Sequence, residues 1–131
     1  MVVGVGEGMQ SGSKGQDICD RTRAFALRVI RMYRVLAKDD VGQILGKQLL
    51  RSGTSIGANV EEAQAAQSKA DFVSKLSIAL KEARETRYWL TLILESESLP
   101  ANRLDAIQVE IEEIIKILYT IIQNSKDDGK A

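Results

Sequence analysis

Apolar residues recur at intervals of three and four along most of the chain, the spacing of one face of an α-helix. Four separate stretches show this spacing, which predicts an all-α protein. Their apolar rows are Ile18, Thr22, Phe25, Val29, Met32 and Leu36; Leu45, Leu49, Gly53, Ile56, Val60 and Ala63; Phe72, Leu76, Ala79, Ala83, Thr86, Leu90 and Ile93; and Leu104, Ile107, Ile111, Ile114, Leu118 and Ile121. Near-heptad spacing and short connections favour an antiparallel up-down-up-down four-helix bundle.

Capping residues mark where these helices begin. Asp17 is the candidate N-cap of the first helix, and Ser68 with Asp71 resembles a capping box in which Asp replaces Glu at the start of the third. The glycine-rich N-terminal segment contains few large apolar residues, so burial cannot offset the entropy lost on ordering it. We therefore expect a flexible tail over residues 1–16, the bundle over residues 17–125 and a polar tail over residues 126–131.

A second row on the second helix consists of small or hydrogen-bonding residues: Gln48, Ser52, Ser55, Asn59 and Glu62. It has helical spacing and lies beside the apolar row. Exposed helix positions usually hold long charged residues with high helix propensity, whereas Ser and Asn lower helix stability. We interpret this row as a contact surface for another copy of the chain, which predicts a homo-oligomer.

Small residues also predict a close helix contact on the second helix. Gly46, Gly53, Gly57 and Ala58 lie at similar angles around its axis, where they would let another backbone approach closely. Their spacing does not decide whether that neighbour belongs to the same chain or to another copy.

The densest set of polar residues beside the apolar rows is Arg51, Glu62, Glu82 and Glu85. These residues predict a structural network of ion pairs and hydrogen bonds that fixes the register of the helices. A carboxylate site for a metal or for acid-base chemistry is the alternative. The chain has no histidine, which excludes Ser-His and Cys-His catalysis and histidine-containing metal sites. We therefore expect no enzyme activity, no metal or other cofactor and no small-molecule substrate.

Charge is unevenly distributed, although 18 basic and 18 acidic residues give a formal net charge of zero. The last helix is mainly acidic, with Arg103 and Lys116 as basic residues. The first helix carries a broad basic strip, Arg21, Arg28, Arg31, Arg34 and Lys38. Such spacing can follow a phosphate backbone, which makes the strip a candidate RNA-binding surface. A solvated helix face looks similar, and no exposed aromatic residues are interleaved with the strip.

Cysteine use and hydropathy bear on where the protein is found. Cys19 is the only cysteine and cannot form an internal disulfide, which favours a reducing compartment. No apolar run approaches the roughly 18 residues of a membrane span, and the N-terminus lacks the pattern of a signal peptide. We expect a cytoplasmic protein that does not contact membranes.

Two ordered motifs lie within residues 50–94. The first is Arg51-Ser52-Gly53-x-Ser55-Ile56-x-x-Asn59-Val60-x-Glu62-Ala63, and the second is Phe72-x-x-x-Leu76-x-x-Ala79-x-x-Glu82-x-x-Glu85-Thr86-x-x-Trp89-Leu90. Both resemble motifs of the bacterial four-helix-bundle proteins known as 23S ribosomal RNA intervening sequence proteins. The first and fourth helices agree with that family only in pattern, and the Gly-rich tail has no counterpart. The resemblance implies a bundle that assembles into a homopentameric ring.

The resemblance also suggests a function. The family is named for open reading frames inside intervening sequences of ribosomal RNA genes, so its name describes a genomic position rather than a reaction. A distant branch serves as an RNA-binding or reverse-transcriptase-binding accessory of diversity-generating retroelements. We therefore expect a non-enzymatic oligomeric scaffold that holds structured RNA or an RNA-protein complex. The alternative is a protein-only adaptor whose basic first helix binds an acidic partner, and a carboxylate-based metalloenzyme is a more distant one.

Overall fold

The computed structural model describes the backbone of residues 10–130 and the side chains of residues 17–127. Four long helices lie in chain order at α1 Gln10–Leu36, α2 Asp40–Gln64, α3 Lys69–Glu95 and α4 Asp105–Lys130. A short 3-10 helix, Ala101–Arg103, precedes α4. Residues 10–130 contain no strand, so the all-α fold predicted from the four apolar rows is confirmed.

The first helix begins earlier than the sequence predicts. It starts at Gln10, so Asp17 lies inside α1, and its assignment as the N-cap is wrong. Residues 10–16 of the expected tail are helical, while residues 1–9 lie outside the described residues. A helix that is already nucleated can extend through residues of low propensity, because each added residue brings a further backbone hydrogen bond. In the same way, α4 continues to Lys130 through most of the expected polar tail.

The starts of α2 and α3 are capped by side chains. Asp39 Oδ1 accepts a hydrogen bond from the N–H of Gly42 at 3.1 Å, and Ser68 Oγ accepts one from the N–H of Asp71 at 3.0 Å. The Asp71 carboxylate accepts in return from the N–H of Gln67 at 3.3 Å, one residue before the cap. Asp therefore takes the role of Glu in the predicted capping box, and a cap of this kind contributes about 1 kcal/mol.

Glycines on α2 bring it close to α1 of the same chain. A Cβ added at Gly53 would lie 2.9 Å from Cγ2 of Val29, and one added at Gly57 would lie 3.3 Å from Oγ1 of Thr22. These contacts show that the close neighbour predicted from the glycine spacing belongs to the same chain. Residue numbers rise along α2 as they fall along α1, so the two helices are antiparallel.

The remaining helices close the bundle. Each helix packs against the next one in the chain, and α1 also contacts α4, though less extensively. The connection of residues 65–68 is far shorter than α2 itself, so α3 must turn back along α2. Along α1 and α4, Ile18 shares a groove with Ile121, and Met32 shares another with Ile107. This reversed order shows that α1 and α4 are antiparallel too.

The predicted apolar rows form the core. The largest fully buried side chains are Phe25, Leu36, Leu49, Ile56, Leu76, Leu90, Ile93, Leu104, Ile107, Ile111, Ile114 and Leu118, and all of them belong to those rows. Burying each such side chain stabilises the fold by roughly 1.5–3 kcal/mol. The last turns of α4 differ from the prediction, because Ile122 is buried whereas Ile121 is only partly buried.

The connection between α3 and α4 is fixed by a left-handed turn. Glu97 has a positive φ of 59°, and the N–H of Ser98 donates to the carbonyl oxygen of Ile93 at 3.0 Å, an arrangement that ends a helix. Leu99 is then buried in the core. Because this side chain anchors the connection, the 3-10 helix that follows is held beside α1.

Candidate functional site

The basic strip of α1 divides into a paired and an unpaired part. Arg21 forms two parallel hydrogen bonds with Glu110 of α4, Nε to Oε2 at 2.7 Å and Nη2 to Oε1 at 3.0 Å. These hydrogen bonds raise the pKa of Arg21 above its usual value. Both side chains are partly buried, at 35% and 20% exposed. Arg21 therefore links α1 to α4, and its charge is neutralised within the chain.

The C-terminal half of α1 carries the unpaired part, except for Lys38, which was predicted on this helix but lies in the turn after Leu36. Arg28, Arg31, Arg34 and Lys38 form no ion pair within the described residues. Arg28 is half-buried, and the other three are exposed. Because no carboxylate of residues 17–127 forms an ion pair with them, these charges remain able to bind phosphate or carboxylate groups of another molecule.

Two of these arginines line a groove between α1 and the chain that enters α4. The groove has a volume of about 370 Å³, and we call it the arginine groove; it is lined by Arg28, Arg31, Met32, Val35, Leu99, Arg103 and Ile107. Arg103 ends the 3-10 helix and, like its two neighbours, forms no ion pair within residues 17–127. The groove therefore combines three unpaired guanidinium groups with an apolar floor.

Sequence reasoning missed Arg103. It was counted with the charges of the last helix, and its place beside α1 depends on the turn at Glu97 and on the burial of Leu99. The sequence does contain one indication of this position: Arg103 lies in the connection before the last helix, which contains the only proline. In an antiparallel bundle that connection must lie near the basic C-terminal end of α1.

Another groove lies along the same seam, beyond the Arg21–Glu110 bridge. Its volume is about 310 Å³, and it is lined by Asp17, Ile18, Arg21, Lys116, Ile117, Thr120, Ile121 and Asn124. Its charges are mixed and partly paired, since Lys116 lies 3.8 Å from Glu113 and Arg21 is held by Glu110. This groove lacks the concentrated positive charge of the arginine groove.

The row predicted as an oligomer interface is only partly exposed. Ser52 is fully buried, and its Oγ accepts a hydrogen bond from the Thr86 hydroxyl of α3 at 2.9 Å. Ser52 therefore lies inside a single bundle, and its prediction as part of a contact surface for another copy is corrected. Its small size is explained by the close packing of α2 on α3.

The other members of that row reach the surface. Gln48, Ser55 and Asn59 are half-buried and Glu62 is exposed. Ser55 Oγ donates to the carbonyl oxygen of Arg51 at 2.7 Å, and Asn59 Nδ2 donates to that of Ser55 at 2.9 Å. Their contact with another copy of the chain stays a prediction.

Arg51 connects α2 to two carboxylates of α3. Its Nη2 donates a hydrogen bond to Glu85, and its Nη1 lies 3.9 Å from Oε1 of Glu82. The indole N–H of Trp89 also donates to Glu85, at 3.0 Å. The hydrogen bond from Trp89, and after it the one from Arg51, lowers the pKa of Glu85. Glu62 makes no hydrogen bond or ion pair with these groups in the described part of the chain, so Trp89 takes its place in the predicted network.

One carboxylate oxygen of this cluster has no hydrogen-bond partner. Oε1 of Glu82 is buried, and no donor of the described residues lies within hydrogen-bonding distance. Arg51 is too far away, at 3.9 Å, to supply one. A buried acceptor without a donor costs about 1–3 kcal/mol, so this oxygen lowers the stability of the contact between α2 and α3.

The described residues show no group suited to catalysis by a metal or a thiolate. No set of three or more His, Cys, Asp or Glu side chains in residues 17–127 could hold a metal ion. Burial, followed by the negative charge of Glu61, raises the pKa of the Cys19 thiol, which disfavours the nucleophilic thiolate. None of the described helices is long and apolar enough to cross a membrane.

Comparison with known proteins gives a family match over most of the chain. The sequence model of the 23S rRNA-intervening sequence protein family matches residues 14–120. A solved structure of a protein with unknown function from the S23 ribosomal protein family of Bacteroides thetaiotaomicron VPI-5482 shares 44% identity, covering 84% of this chain and 98% of that one, with a TM-score of 0.80. No curated protein sequence matches.

Proposed function

Because this chain belongs to the 23S rRNA-intervening sequence protein family, we propose that it is a non-enzymatic homo-oligomeric scaffold that binds structured RNA. The observation that carries RNA binding is the unpaired basic surface formed by the end of α1 and the turn after it. Arg28, Arg31, Arg34 and Lys38 lack carboxylate partners within the described residues, although the chain has as many acidic as basic residues. Phosphate groups of RNA supply the missing negative charge.

The outer face of α2 and α3 supports assembly. Ile44 and Tyr88 are 65% and 55% exposed there, and the ring of Tyr88 meets that of Trp89 edge-on with 5.1 Å between centroids. Aromatic and large apolar side chains among polar ones are common anchors of protein interfaces.

We propose a ring of five copies, which requires two different patches on each chain. A closed ring is built from head-to-tail contacts, in which one surface of a protomer meets another surface of its neighbour. The α2–α3 face supplies one patch. Val109 and Tyr119 of α4, 64% and 51% exposed, are candidates for the other.

Assembly would strengthen RNA binding without any new contact. Each protomer offers a few phosphate contacts, which are weak by themselves at physiological salt. Several copies of the same basic surface can engage one folded RNA together, because binding by the first copy raises the effective concentration at the others. Affinity should therefore depend on the oligomeric state.

The oligomer is tested by light scattering at micromolar protein concentration. We expect the parent protein to have about five times the mass of one chain, and Ser55→Arg to dissociate while keeping its helical circular dichroism. A charge placed in a close contact costs several kcal/mol by overpacking and desolvation. Ala24→Arg, which adds the same charge at an exposed position of α1, is the matched control. A parent protein that is monomeric would refute assembly.

RNA binding is tested by fluorescence anisotropy with a folded RNA over a range of salt concentrations. Combined replacement of Arg28, Arg31 and Arg34 by Gln should weaken binding at least tenfold and flatten its salt dependence. The control replaces Lys69, Arg84 and Lys126, which are exposed and form no ion pair within the described residues. If the parent does not bind RNA even at low salt, an acidic protein partner becomes the better explanation of the strip.

A further inference from the structure

The arginine groove differs from the rest of the basic surface because its charges converge. Arg28 and Arg31 approach from α1, and Arg103 approaches from the 3-10 helix, around one space of about 370 Å³. None of the three forms an ion pair with a carboxylate of the described residues. Like charges that line one concave surface repel each other and focus the positive potential on it. Such a groove favours an anionic ligand.

The floor of the groove adds a second requirement. Met32, Val35, Leu99 and Ile107 line it, so the ligand must offer an apolar or planar surface beside its negative charge. A free inorganic anion would contact only the three arginines and would leave the apolar floor without a partner. A nucleotide satisfies both parts, because guanidinium groups bind phosphate in a bidentate manner while a base can lie flat on apolar side chains or on a guanidinium plane.

The length of the groove argues against a docked acidic helix. Its wall on α1 runs from Arg28 to Val35, which corresponds to about 10 Å of helix axis. Between the two grooves, Arg21 and Glu110 bridge α1 to α4, so the grooves do not form one continuous channel. A helix that binds through several turns needs a longer apolar stripe. A volume of this size suits a single nucleotide.

We propose that the arginine groove binds one nucleotide, with its phosphate at Arg28, Arg31 and Arg103 and its base against Met32 and Val35. In its main form this inference rests on the proposed RNA-binding function, since the nucleotide then belongs to an RNA strand. A free nucleotide has the same chemistry and is the other source. The groove would thus hold one unstacked residue of the RNA, while Arg34 and Lys38 contact the backbone outside it.

The first experiment removes the arginine that does not belong to α1. Binding of a short fluorescein-labelled single-stranded RNA to full-length Arg103→Gln is compared with binding to Arg84→Gln, which loses the same charge from an exposed position of α3. Arg103→Gln should weaken binding roughly fivefold and lower the slope of log K against log salt by about 0.7, the value for one phosphate contact with a single strand. Arg84→Gln should change affinity less than about twofold.

The second experiment separates the base from the phosphate. Val35→Thr keeps the shape of the side chain but makes the floor more polar, so it should weaken RNA binding about threefold and leave the salt slope unchanged, because no ionic contact is lost. Adenosine monophosphate, added to isotopically labelled protein, should shift NMR signals of Val35 and Ile107 in the parent and lose this effect in Arg103→Gln.

The outcomes distinguish the groove from the wider function. If the parent binds RNA but Arg103→Gln behaves like Arg84→Gln, the groove is not a nucleotide site, although RNA binding stands. If RNA does not bind while adenosine monophosphate still binds through Arg103, the nucleotide site is supported with a free nucleotide as its ligand, and the RNA function fails. If only poly-glutamate binds in an Arg103-dependent manner, the groove belongs to an acidic protein and the inference is overturned.

Discussion

Helix α1 meets its two neighbours in different ways. Against α2, glycines remove side chains from the contact, and Val29 lies only 2.9 Å from where a Cβ at Gly53 would be. Against α4, Arg21 and Glu110 span the space between the helices, and grooves of about 310 and 370 Å³ lie on either side of this bridge. The α1–α2 seam is the more closed of the two, with one smaller groove of about 180 Å³ beside the exposed Arg23–Glu61 pair, and the α1–α4 seam is the more open.

This difference shows that side-chain size decides which contact between helices is tightly packed and which leaves space for a ligand. Small residues let backbones approach, so atoms of α1 and α2 make close dispersion contacts in the closed seam. Long charged side chains hold helices apart and leave space that polar groups can rim. The candidate ligand surface therefore lies on the open seam, where a ligand can enter without displacing the core.

The largest expected effect tests whether the closed seam is as tight as its geometry indicates. Gly53→Leu should lower the free energy of unfolding by about 2 kcal/mol, because the new side chain overlaps Val29 and overpacking outweighs the gain in helix propensity. Thr120→Leu, an enlargement at an exposed position in the open seam, should change it by less than about 0.5 kcal/mol. Urea unfolding measures both. Equal losses would show that the two seams are packed alike.

The next effect extends the comparison to the seam between α2 and α3. Ser52→Ala should cost about 1–2 kcal/mol in unfolding free energy, because it removes a buried hydroxyl that is hydrogen-bonded to Thr86. Ser55→Ala makes the same chemical change at a half-buried position one turn away and should cost less than about 0.5 kcal/mol. If Ser55 proves the more costly of the two in a dissociated protein, the assignment of Ser52 to the interior is wrong.

A smaller effect concerns the bridge across the open seam. A double-mutant cycle of Arg21→Gln and Glu110→Gln should give a coupling energy of about 1 kcal/mol, because two charge-assisted hydrogen bonds join partly buried groups. The same cycle for Arg23 and Glu61, an exposed pair at 2.9 Å, should give less than about 0.5 kcal/mol. Thermal unfolding at fixed protein concentration gives both values. No coupling for Arg21 would mean that the open seam is held by apolar contacts alone.

The smallest effect is a pH dependence at the contact between α2 and α3. Glu85 has a lowered pKa through Trp89 and Arg51, so the unfolded chain binds a proton more readily than the folded one does. The stability contributed by this group is present above its ordinary pKa of 4.5 and is lost as pH falls through the lower folded value. Glu85→Gln should therefore reduce the acid-side loss of unfolding free energy, by roughly 0.5 kcal/mol.

A second carboxylate provides the control for this pH series. Asp71 also has a lowered pKa, held by Lys75 first and by the N–H of Gln67 second, and it lies at the start of α3 away from the Arg51 cluster. Glu85→Gln should still lose some unfolding free energy when the pH is lowered. This remaining loss should be smaller in the double variant of Glu85→Gln with Asp71→Asn. Parallel pH curves for the parent and Glu85→Gln would contradict the contact between Trp89 and Glu85.

Much of the fold follows from local spacing. The apolar rows gave all of the largest buried side chains, and Ser68 with Asp71 marked the start of α3. The start of α1 was misplaced because Asp17 has the residue type of a cap, and only the extension of the helix to Gln10 shows that it is not one. A cap is defined by backbone geometry, which a residue type suggests but does not fix.

The candidate site was predicted less completely. Arg28, Arg31, Arg34 and Lys38 were identified from their spacing, whereas Arg103 was missed, because it reaches the groove from a different element. Ser52 was assigned to a surface although it is buried. In both cases the outcome depends on how far each helix is rotated about its axis and how close its neighbour lies, which periodicity along a single helix does not specify.

The all-α fold, most of the core and the family are recognisable from the sequence alone. These properties are encoded in residues a few positions apart or in ordered motifs, so they can be recognised along the chain. Which charges are neutralised depends on the packing of the helices, because Arg21 and Glu110 are 89 residues apart and their contact requires the return of α4 beside α1. The same return leaves Arg28, Arg31 and Arg103 together without a carboxylate partner in the described residues, since ion pairing depends on distances that chain order does not fix.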